Sequence, residues 1–458
     1  RDFADTVPES GAVFSMGEAL RTGITQICFG TGSPMDGALL GQTANTQPCL
    51  FLTDLAIAEA FRAVGLLPAA VAGFSLGEIP AAAFAGVLSY EEAFRFVLLR
   101  AESMAWQSGR HPGGMAAALK LAPEVVEEIC SRFSEVWPVN YNCPEGSYST
   151  NPKKGEVRIK ECKQMIQALH NAGIGVIMDV VYNHTYTSDS WLQRTVPNYY
   201  YRMNNDGTFS NGSGCSNDTA SEHLMFRKYM IDSVTYWASE YHIDGFRFDL
   251  MGLHDVTTMN SIRTALDNLY ADGSGSQILM YGEAWDMATN CDEGTVLASQ
   301  KNLKQLSDRI GAFDDTIRDA IKGSTGGTDG AFVQEGSRRA NLKTGIAGQS
   351  DTTTGWANVP SQCVTYASCH DNLCLYDKLV GSVYGADGKY RKRYEDLVAM
   401  NKLSAAIVIT SQGIPFSLGG EEFCRSKDGD ENSYASSRKE NMLDWENVDL
   451  YSDVIEYY

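Results

Sequence analysis

Four short stretches of the chain place carboxylates directly after or within an apolar run, and three of them also contain histidine, arginine or asparagine. They are "DVVYNH" at residues 179–184, "DGFRFD" at 244–249, "YGEAWD" at 281–286 and "SCHDN" at 368–372. In parallel α/β proteins the carboxyl ends of the strands carry the chemistry. Packing alone gives a buried strand no reason to end repeatedly in acidic residues. We therefore predict that the four stretches meet in one site.

The residue types in these stretches predict separate acid and base tasks. Arg247 and Asp249 are two residues apart, so a strand points both side chains to one face, where the guanidinium favours a charged carboxylate. Glu283 lies at an apolar strand end, which is expected to raise its pKa and suit it to proton donation. Asp371 adds a third acidic group. Any one of these residues alone could be a helix cap or a loop ion pair, but together they predict cleavage of glycosidic bonds.

The segments that must position these residues alternate between helix and strand patterns. Helical periodicity is present in "VRIKECKQMIQALHNAG", "FRKYMIDSVTYWASEYH" and "MNSIRTALDNLYA". Strands are predicted in "IGVIMDVVYNHT", "IDGFRFDLMG", "QILMYGEAWD", "QCVTYASCHDN" and "AIVITSQGIPFSLGG". This alternation predicts an α/β fold with a parallel sheet.

The four stretches resemble the four signature regions of the alpha-amylase superfamily, glycoside hydrolase family 13. The flanking sequences "YNCPEGSYSTNP", "YHIDGFRFDLMGLHD" and "GEEFCRSKDGDENSY" resemble type I pullulanases. The resemblance covers about residues 138–458. It implies a (β/α)8 TIM-type barrel and hydrolysis of α-1,6 branch links in an α-glucan polysaccharide, with retention of configuration.

The same resemblance assigns roles to individual residues. Asp249 would be the nucleophile, Glu283 the general acid and base, and Asp371 the stabiliser of the transition state. Tyr141, Tyr182 and Trp285 could stack on sugar faces. The implied substrate-binding residues are Asp179, Tyr182, His184, Arg247, Trp285, His370 and Asn372.

A different motif lies nearer the start of the chain. "GFSLG" at residues 73–77 has the G-x-S-x-G pattern, in which glycines allow a tight strand-to-helix turn that exposes the Ser75 hydroxyl. The pentapeptide alone is as frequent by chance as by function. The preceding "AAVAGF" is predicted as a short strand, and "TDLAIAEAFRAVGL" and "YEEAFRFVLLRAESMAW" as helices.

The surroundings of this motif resemble malonyl-CoA:acyl carrier protein transacylases over about residues 2–133. The resemblance implies that Ser75 takes the acyl group and that Arg100 pairs with the malonyl carboxylate. Acyl carrier protein and malonyl-CoA would then be partners. Phe74 stands where that family usually has histidine, and His111 does not match the family's catalytic histidine. Because a serine without a positioned base is a poor nucleophile, we expect this segment to be inactive.

These two resemblances predict an unusual domain organisation. We expect a partial acyltransferase-like α/β domain at residues 1–133, a seam at 134–139 and a pullulanase-like barrel at 140–458, cut at both ends. Only about six of the eight barrel strands can be recognised. The alternatives are a transacylase, and an inactive chimera produced by gene rearrangement or assembly error.

The net charge and a few local features of the sequence argue against several other classes of protein. The formal net charge of -20 argues against a nucleic-acid partner and against an anionic membrane surface. The acidic loop that begins with "DGDENS" lacks the glycine at position six of a calcium loop and has Lys439 instead of glutamate at position twelve. We predict no cofactor and no metal, with calcium elsewhere left open. Without a secretion signal, the predicted location is cytoplasmic.

Overall fold

The computed structural model describes residues 42–110 and 141–458, except residues 69, 74, 351 and 352. The chain divides into two compact units, Arg1–Leu121 and Ala122–Tyr458. The predicted seam at residues 134–139 lies outside the described residues. The predicted domain boundaries therefore stay a prediction.

The described part of the first unit is helical. It contains helices α1 (Thr43–Ala63), α2 (Glu78–Phe84) and α3 (Tyr90–Arg110) and a 3-10 turn at Ser75–Gly77. Buried apolar side chains of all three helices, among them Phe51, Ile79 and Phe94, form its core. Residues 70–73 are irregular, so the strand predicted before the Ser75 turn is wrong. No strand is described within residues 42–110, so this segment has no described partner to pair with.

The second unit is built on a parallel sheet of six strands, ordered as they occur in the chain. The strands are β1 (Ile177–Val180), β2 (Gly245–Phe248), β3 (Leu279–Gly282), β4 (Gly311–Phe313), β5 (Cys363–Thr365) and β6 (Ile414–Pro415). Each pairs in parallel with the next. The sheet confirms the prediction of a parallel α/β fold with about six strands, the pattern of a partial TIM-type barrel.

Helices precede the first strand, connect the successive strands and follow the last one. They are α4 (Gly155–Asn171), α5 (Trp191–Thr195), α6 (Leu224–Tyr241), α7 (Val256–Asp267), α8 (Asp315–Lys322), α9 (Phe332–Glu335), α10 (Arg339–Ile346), α11 (Leu375–Tyr384), α12 (Glu395–Thr410), α13 (Arg438–Asn441), α14 (Asn447–Leu450) and α15 (Ser452–Ile455). Helix α4 ends as predicted, because Gly173 follows with a φ of 75° and its N–H donates to the carbonyl of His170.

Two elements differ from the sequence prediction. The apolar run at residues 406–410 is the end of helix α12, and the strand of that region is only Ile414–Pro415. Its β-branched residues favour a strand locally. The run nevertheless continues a helix whose buried side chains, such as Leu397 and Val408, pack in the core. Strand β4 and helix α8 were not predicted, and for β4 the reason is that three small or apolar residues carry little periodic signal.

Alternation along the strands separates the core from the candidate site. Phe246 and Phe248 of β2 belong to a buried cluster with side chains of α6 and α7, such as Trp237 and Ile262. Arg247, between them in sequence, therefore points to the opposite face. That face also carries Tyr281, which is paired with Arg247 in the sheet. The polar site thus forms on the side of the sheet away from these helices.

Candidate active site

The sheet register brings the first three predicted stretches together. Asp179 of β1 is paired with Arg247 of β2, and Arg247 with Tyr281 of β3. The backbone N–H of Asp249 donates to Val180, and that of Glu283 donates to Phe248. Asp249 and Glu283 therefore follow neighbouring strands at the same edge of the sheet.

A single guanidinium connects the three acidic residues of these strands. Arg247 Nη1 donates to both carboxylate oxygens of Asp179, at 2.8 and 2.9 Å, and to Asp249 Oδ1 at 3.0 Å. Arg247 Nη2 lies 2.7 Å from Glu283 Oε1. Because the guanidinium is planar and its donors are fixed, this fork sets the positions of all three carboxylates.

Glu283 is the most buried of these acidic groups. Burial raises the pKa of its carboxyl, while Arg247 and the backbone N–H of Leu250, 3.0 Å from Oε2, act in the opposite direction. The net shift is upward, as the sequence predicted. A carboxyl in such surroundings retains its proton to higher pH than an exposed glutamate, which is the property that a general acid needs.

Asn183, which was not predicted, holds the other side of Asp249. Its Nδ2 donates to Asp249 Oδ2 at 2.8 Å and to the Asp249 carbonyl at 2.9 Å. Both carboxylate oxygens of Asp249 therefore receive a donor, one from Asn183 and one from Arg247. Its place within "DVVYNH", between two residues that were predicted, is the signal that could have identified it.

His184 completes this side of the site. Its Nδ1 lies 2.6 Å from Asn183 Oδ1, and burial lowers the pKa of the imidazole although Asp249 and Asp218 are near. The neutral ring leaves Nε2 for a ligand, since the other nitrogen is engaged by Asn183.

The last predicted stretch lies on the loop after β5 and is more open. The side chain of Asp371 is 68% exposed, and His370 Nε2 lies 3.5 Å from its Oδ1. A hydrogen bond with Cys369 raises the pKa of His370 to about 9. Lys427 Nζ donates to the His370 carbonyl at 3.0 Å, which anchors the loop. Asp371 and Asn372 line a small cavity together with Glu283.

The backbone beside two of the acidic residues is unusual. Leu250, directly after Asp249, has a φ of 41°, and Asn372, directly after Asp371, has a φ of 63°. Non-glycine residues rarely adopt such angles, and they concentrate at functional sites. A Cβ at Gly252 would come within 2.1 Å of the Trp285 carbonyl, so glycine is required where the loops after β2 and β3 meet.

Of the tyrosines expected to stack on sugars, Tyr182 lies in the core and Tyr141 is partly buried against it. Tyr182 is 1% exposed, and its hydroxyl lies 2.6 Å from Ser233 Oγ. Tyr141 packs against Tyr182 with ring centroids 5.4 Å apart and donates to the His184 carbonyl at 2.6 Å. The stacking prediction is wrong for Tyr182, because burial leaves neither ring face open. Of the predicted aromatic residues, Trp285 does line the cavity.

Helix α8 supplies further cavity residues that were not predicted. Arg318 lies with its guanidinium 5.9 Å from the Trp285 ring centroid, and its Nη1 donates to the Tyr366 hydroxyl at 2.9 Å. Asp314 accepts hydrogen bonds from the first turn of this helix, and burial raises the pKa of Asp314 to about 6. Because α8 follows a three-residue strand, its contribution was not evident from sequence.

The transacylase-like residues have less support. Ser75 begins the 3-10 turn at Ser75–Gly77, and Arg100 of α3 donates to the Gln47 side chain of α1. No histidine occurs between residues 42 and 110. Phe74, His111 and the side chain of Ser75 lie outside what is described, so their predicted roles stay predictions.

Two further properties concern the described residues only. Within them, no group of three or more His, Cys, Asp or Glu side chains is arranged to hold a metal ion. No helix of the described ranges is long and apolar enough to cross a membrane. The predicted cytoplasmic location stays a prediction.

Comparison with known proteins separates the two ends of the chain. The acyl transferase domain family matches residues 6–172. The pullulanase of Bacillus subtilis (strain 168) is 38% identical over 331 residues, which are 70% of this chain and 44% of the relative. Pullulanase 1, chloroplastic, of Arabidopsis thaliana is 33% identical over 362 residues, covering 67% of this chain and 37% of the relative.

Solved structures give the same result. The pullulanase of Paenibacillus barengoltzii in complex with maltohexaose and alpha-cyclodextrin aligns with a TM-score of 0.65 and 45% identity, over 70% of this chain and 48% of that one. The pullulanase of Anoxybacillus sp. LM18-11 with maltotriose gives 0.64 and 40%, over 69% and 44%.

The chain therefore spans between 37% and 48% of the length of these four proteins. Pullulanase homologues of the alpha-amylase superfamily cover its C-terminal part. An acyl transferase match covers the N-terminal part.

Proposed function

We propose that the second unit is the catalytic region of a debranching enzyme that hydrolyses α-1,6-glucosidic links in an α-glucan polysaccharide. The observation that carries this proposal is the Arg247 fork, which contacts Asp249 at 3.0 Å and Glu283 at 2.7 Å. The maltooligosaccharides named in the structures of the similar pullulanases support the substrate class.

The reaction would proceed by double displacement. Asp249 attacks the anomeric carbon, and the carboxyl of Glu283 gives its proton to the departing glycosidic oxygen. The resulting glycosyl–Asp249 ester is then hydrolysed by water, from which Glu283 removes a proton. Since both carboxyls contact one guanidinium, they lie close together, which supports the retaining geometry over the wider inverting one.

The remaining site residues would bind the sugar. Asp371, His370 and Asn372 would contact its hydroxyl groups from the loop after β5, and His184 from the loop after β1. Trp285 would offer a ring face, since it lines the cavity with Glu283. Asp179 would act through Arg247, to which both of its carboxylate oxygens are bonded.

The test is hydrolysis of pullulan, followed by reducing-end formation and by NMR of the anomeric protons. We expect products with retained α configuration. Asp249→Asn should lower kcat/KM by roughly 10⁴-fold, because it removes the nucleophile. Asp232→Asn, which changes an exposed aspartate paired with Lys228, is the matched control and should have no effect. Unchanged turnover in Asp249→Asn would refute the assignment.

The acyl transferase match supports a second candidate, malonyl transfer to acyl carrier protein through Ser75. Its test is incubation with malonyl-CoA and measurement of the intact mass. Turnover of neither pullulan nor malonyl-CoA by a folded chain would instead support the third alternative, an inactive fusion of two partial domains.

A further inference from the structure

A cavity of about 100 Å³ lies beside the candidate catalytic residues. Glu283 and Asp371 line it with acidic groups, and Arg318 and Lys322 line it with basic ones. Arg318 and Lys322 are four residues apart on helix α8, so both lie on the same face of that helix. The two basic side chains differ in whether their N–H donors have hydrogen-bond partners.

Arg318 makes hydrogen bonds with the protein through its Nε and Nη1. Its Nε donates to Asp319 at 2.7 Å, its Nη1 donates to Tyr366 at 2.9 Å, and its guanidinium packs near the Trp285 ring. These contacts fix the shape of the cavity wall.

Lys322 is 1% exposed, yet its ammonium makes no hydrogen bond or ion pair with the described residues. Burial, together with the charge of Arg318, lowers the pKa of Lys322 to about 7. An ammonium without partners in such surroundings is costly, so buried lysines are normally paired.

Lys378, a second buried lysine of this unit, shows the normal arrangement. Its Nζ donates to the carbonyls of Gly326 and Gly327 at 2.8 and 3.1 Å and to Asp329 Oδ1 at 2.8 Å. Three donors thus have three acceptors. Lys322 has none of these contacts, although both side chains are excluded from solvent to a similar degree.

Glu421, the buried acidic group whose charge acts on Lys322, already accepts hydrogen bonds from other residues. Glu421 raises the pKa of Lys322 through its charge, but its Oε1 accepts from Ser368 and its Oε2 accepts from Ser417 at 2.9 Å. The bond from Ser368 ties Glu421 to the loop that carries Asp371, and the bond from Ser417 ties it to the loop after β6. The donors of Lys322 are consequently left for a group that enters the cavity.

We propose that Lys322 is a substrate-binding residue that donates hydrogen bonds to hydroxyl groups of the glucosyl unit held beside Glu283 and Asp371. This inference rests on the proposed function of the site. A neutral polyol fits because its hydroxyls accept from an ammonium and donate to carboxylates at once. An anionic ligand fits poorly, since Asp371 and Glu283 line the same cavity.

The test compares Lys322→Met with the full chain in pullulan hydrolysis. Methionine keeps the length and apolar stem but removes the donors. We expect KM to rise about tenfold and kcat to change less than about threefold, the loss of one hydrogen bond to a charged donor. Lys343→Met, a change at an exposed lysine of α10, should leave both unchanged.

Binding gives a second readout that needs no turnover. In the Asp249→Asn background, calorimetry with maltotriose should show a Kd about tenfold higher with Lys322→Met. The Tm should stay equal or rise, because an unpaired buried charge has been removed. Lys322→Gln, which keeps an uncharged donor, should recover part of the affinity and decides the matter if the methionine variant does not fold.

The outcomes separate this inference from the proposed function. An active enzyme whose KM and Kd are unaffected by Lys322→Met overturns the role of Lys322 alone. A lower Tm with unchanged KM assigns Lys322 a structural role and also overturns it. A folded wild-type chain that neither hydrolyses pullulan nor binds maltotriose overturns the proposed function and the inference together.

Discussion

The two units carry candidate catalytic residues with very different surroundings. In the second unit, Asp249 receives donors on both carboxylate oxygens, and Glu283 is contacted by Arg247 and by a backbone N–H. In the described part of the first unit, Arg100 is engaged with Gln47, and no histidine is present to serve Ser75 as a base.

This difference shows what a motif needs beyond its residue types. A carboxylate or serine becomes reactive through the groups that orient it and set its charge. The parallel sheet supplies those groups in the second unit, because neighbouring strand ends deliver Arg247 and Asn183 to the same point. The Ser75 turn precedes a helix, but residues 42–110 contain no strand that would deliver a partner in that way.

After the nucleophile, replacement of the general acid should give the largest effect. Glu283→Gln keeps the shape of the side chain but cannot donate a proton, so kcat/KM on pullulan should fall by roughly 10²–10⁴-fold. Glu456→Gln, at an exposed position, is the control. Activity within tenfold of wild type would show that another group protonates the leaving oxygen.

The Arg247 fork should affect both rate and pH dependence. Arg247→Gln should lower kcat/KM by roughly 10²-fold, because the carboxylates lose their common anchor. Arg247 lowers the pKa of Glu283. Its removal should therefore raise that pKa, and since Glu283 acts when protonated, the alkaline limb of the kcat/KM profile should move to higher pH.

The control for this variant is Arg393→Gln, because Arg393 is paired with Glu395 and Asp453 and lines no part of the cavity. A Glu283 limb that stays in place, or moves to lower pH, would contradict the charge coupling between Arg247 and Glu283.

A smaller effect is expected for Asn183. Asn183→Ala removes two hydrogen bonds to Asp249 but leaves Arg247 in place, so kcat/KM should fall about tenfold with little change in KM. Asn171→Ala, at the exposed end of α4, serves as the comparison. Wild-type activity in Asn183→Ala would mean that Arg247 alone positions the nucleophile.

Substitutions in the first unit should have no effect on the hydrolysis of pullulan. Ser75→Ala is expected to leave pullulan turnover unchanged, and the wild-type chain should show no malonyl adduct by intact mass after incubation with malonyl-CoA, because residues 42–110 contain no histidine that could act as the base for Ser75. An adduct present in wild type and absent in Ser75→Ala would show that the two units are more alike than their described contacts indicate.

Much of the site was predictable because the residues that carry its chemistry lie in short stretches of sequence. "DGFRFD" places Arg247 and Asp249 on one face of a strand by spacing alone, and the register of β1 and β2 confirms that Asp179 lies beside them. The helices around these strands also followed from periodicity. The run at residues 406–410 did not, because a short β-branched segment is compatible with both a strand and a buried helix.

The sequence by itself determined the acidic residues, their order along parallel strands and the contrast between a transacylase-like and a pullulanase-like segment. Only the tertiary structure decided that Tyr182 belongs to the core, that Asn183 holds Asp249, and that Arg318 and Lys322 border the cavity. Burial, and the presence or absence of a partner, depend on segments distant in sequence. Lys322 and Lys378 show this most clearly, because two lysines of one unit are equally buried and only one has acceptors.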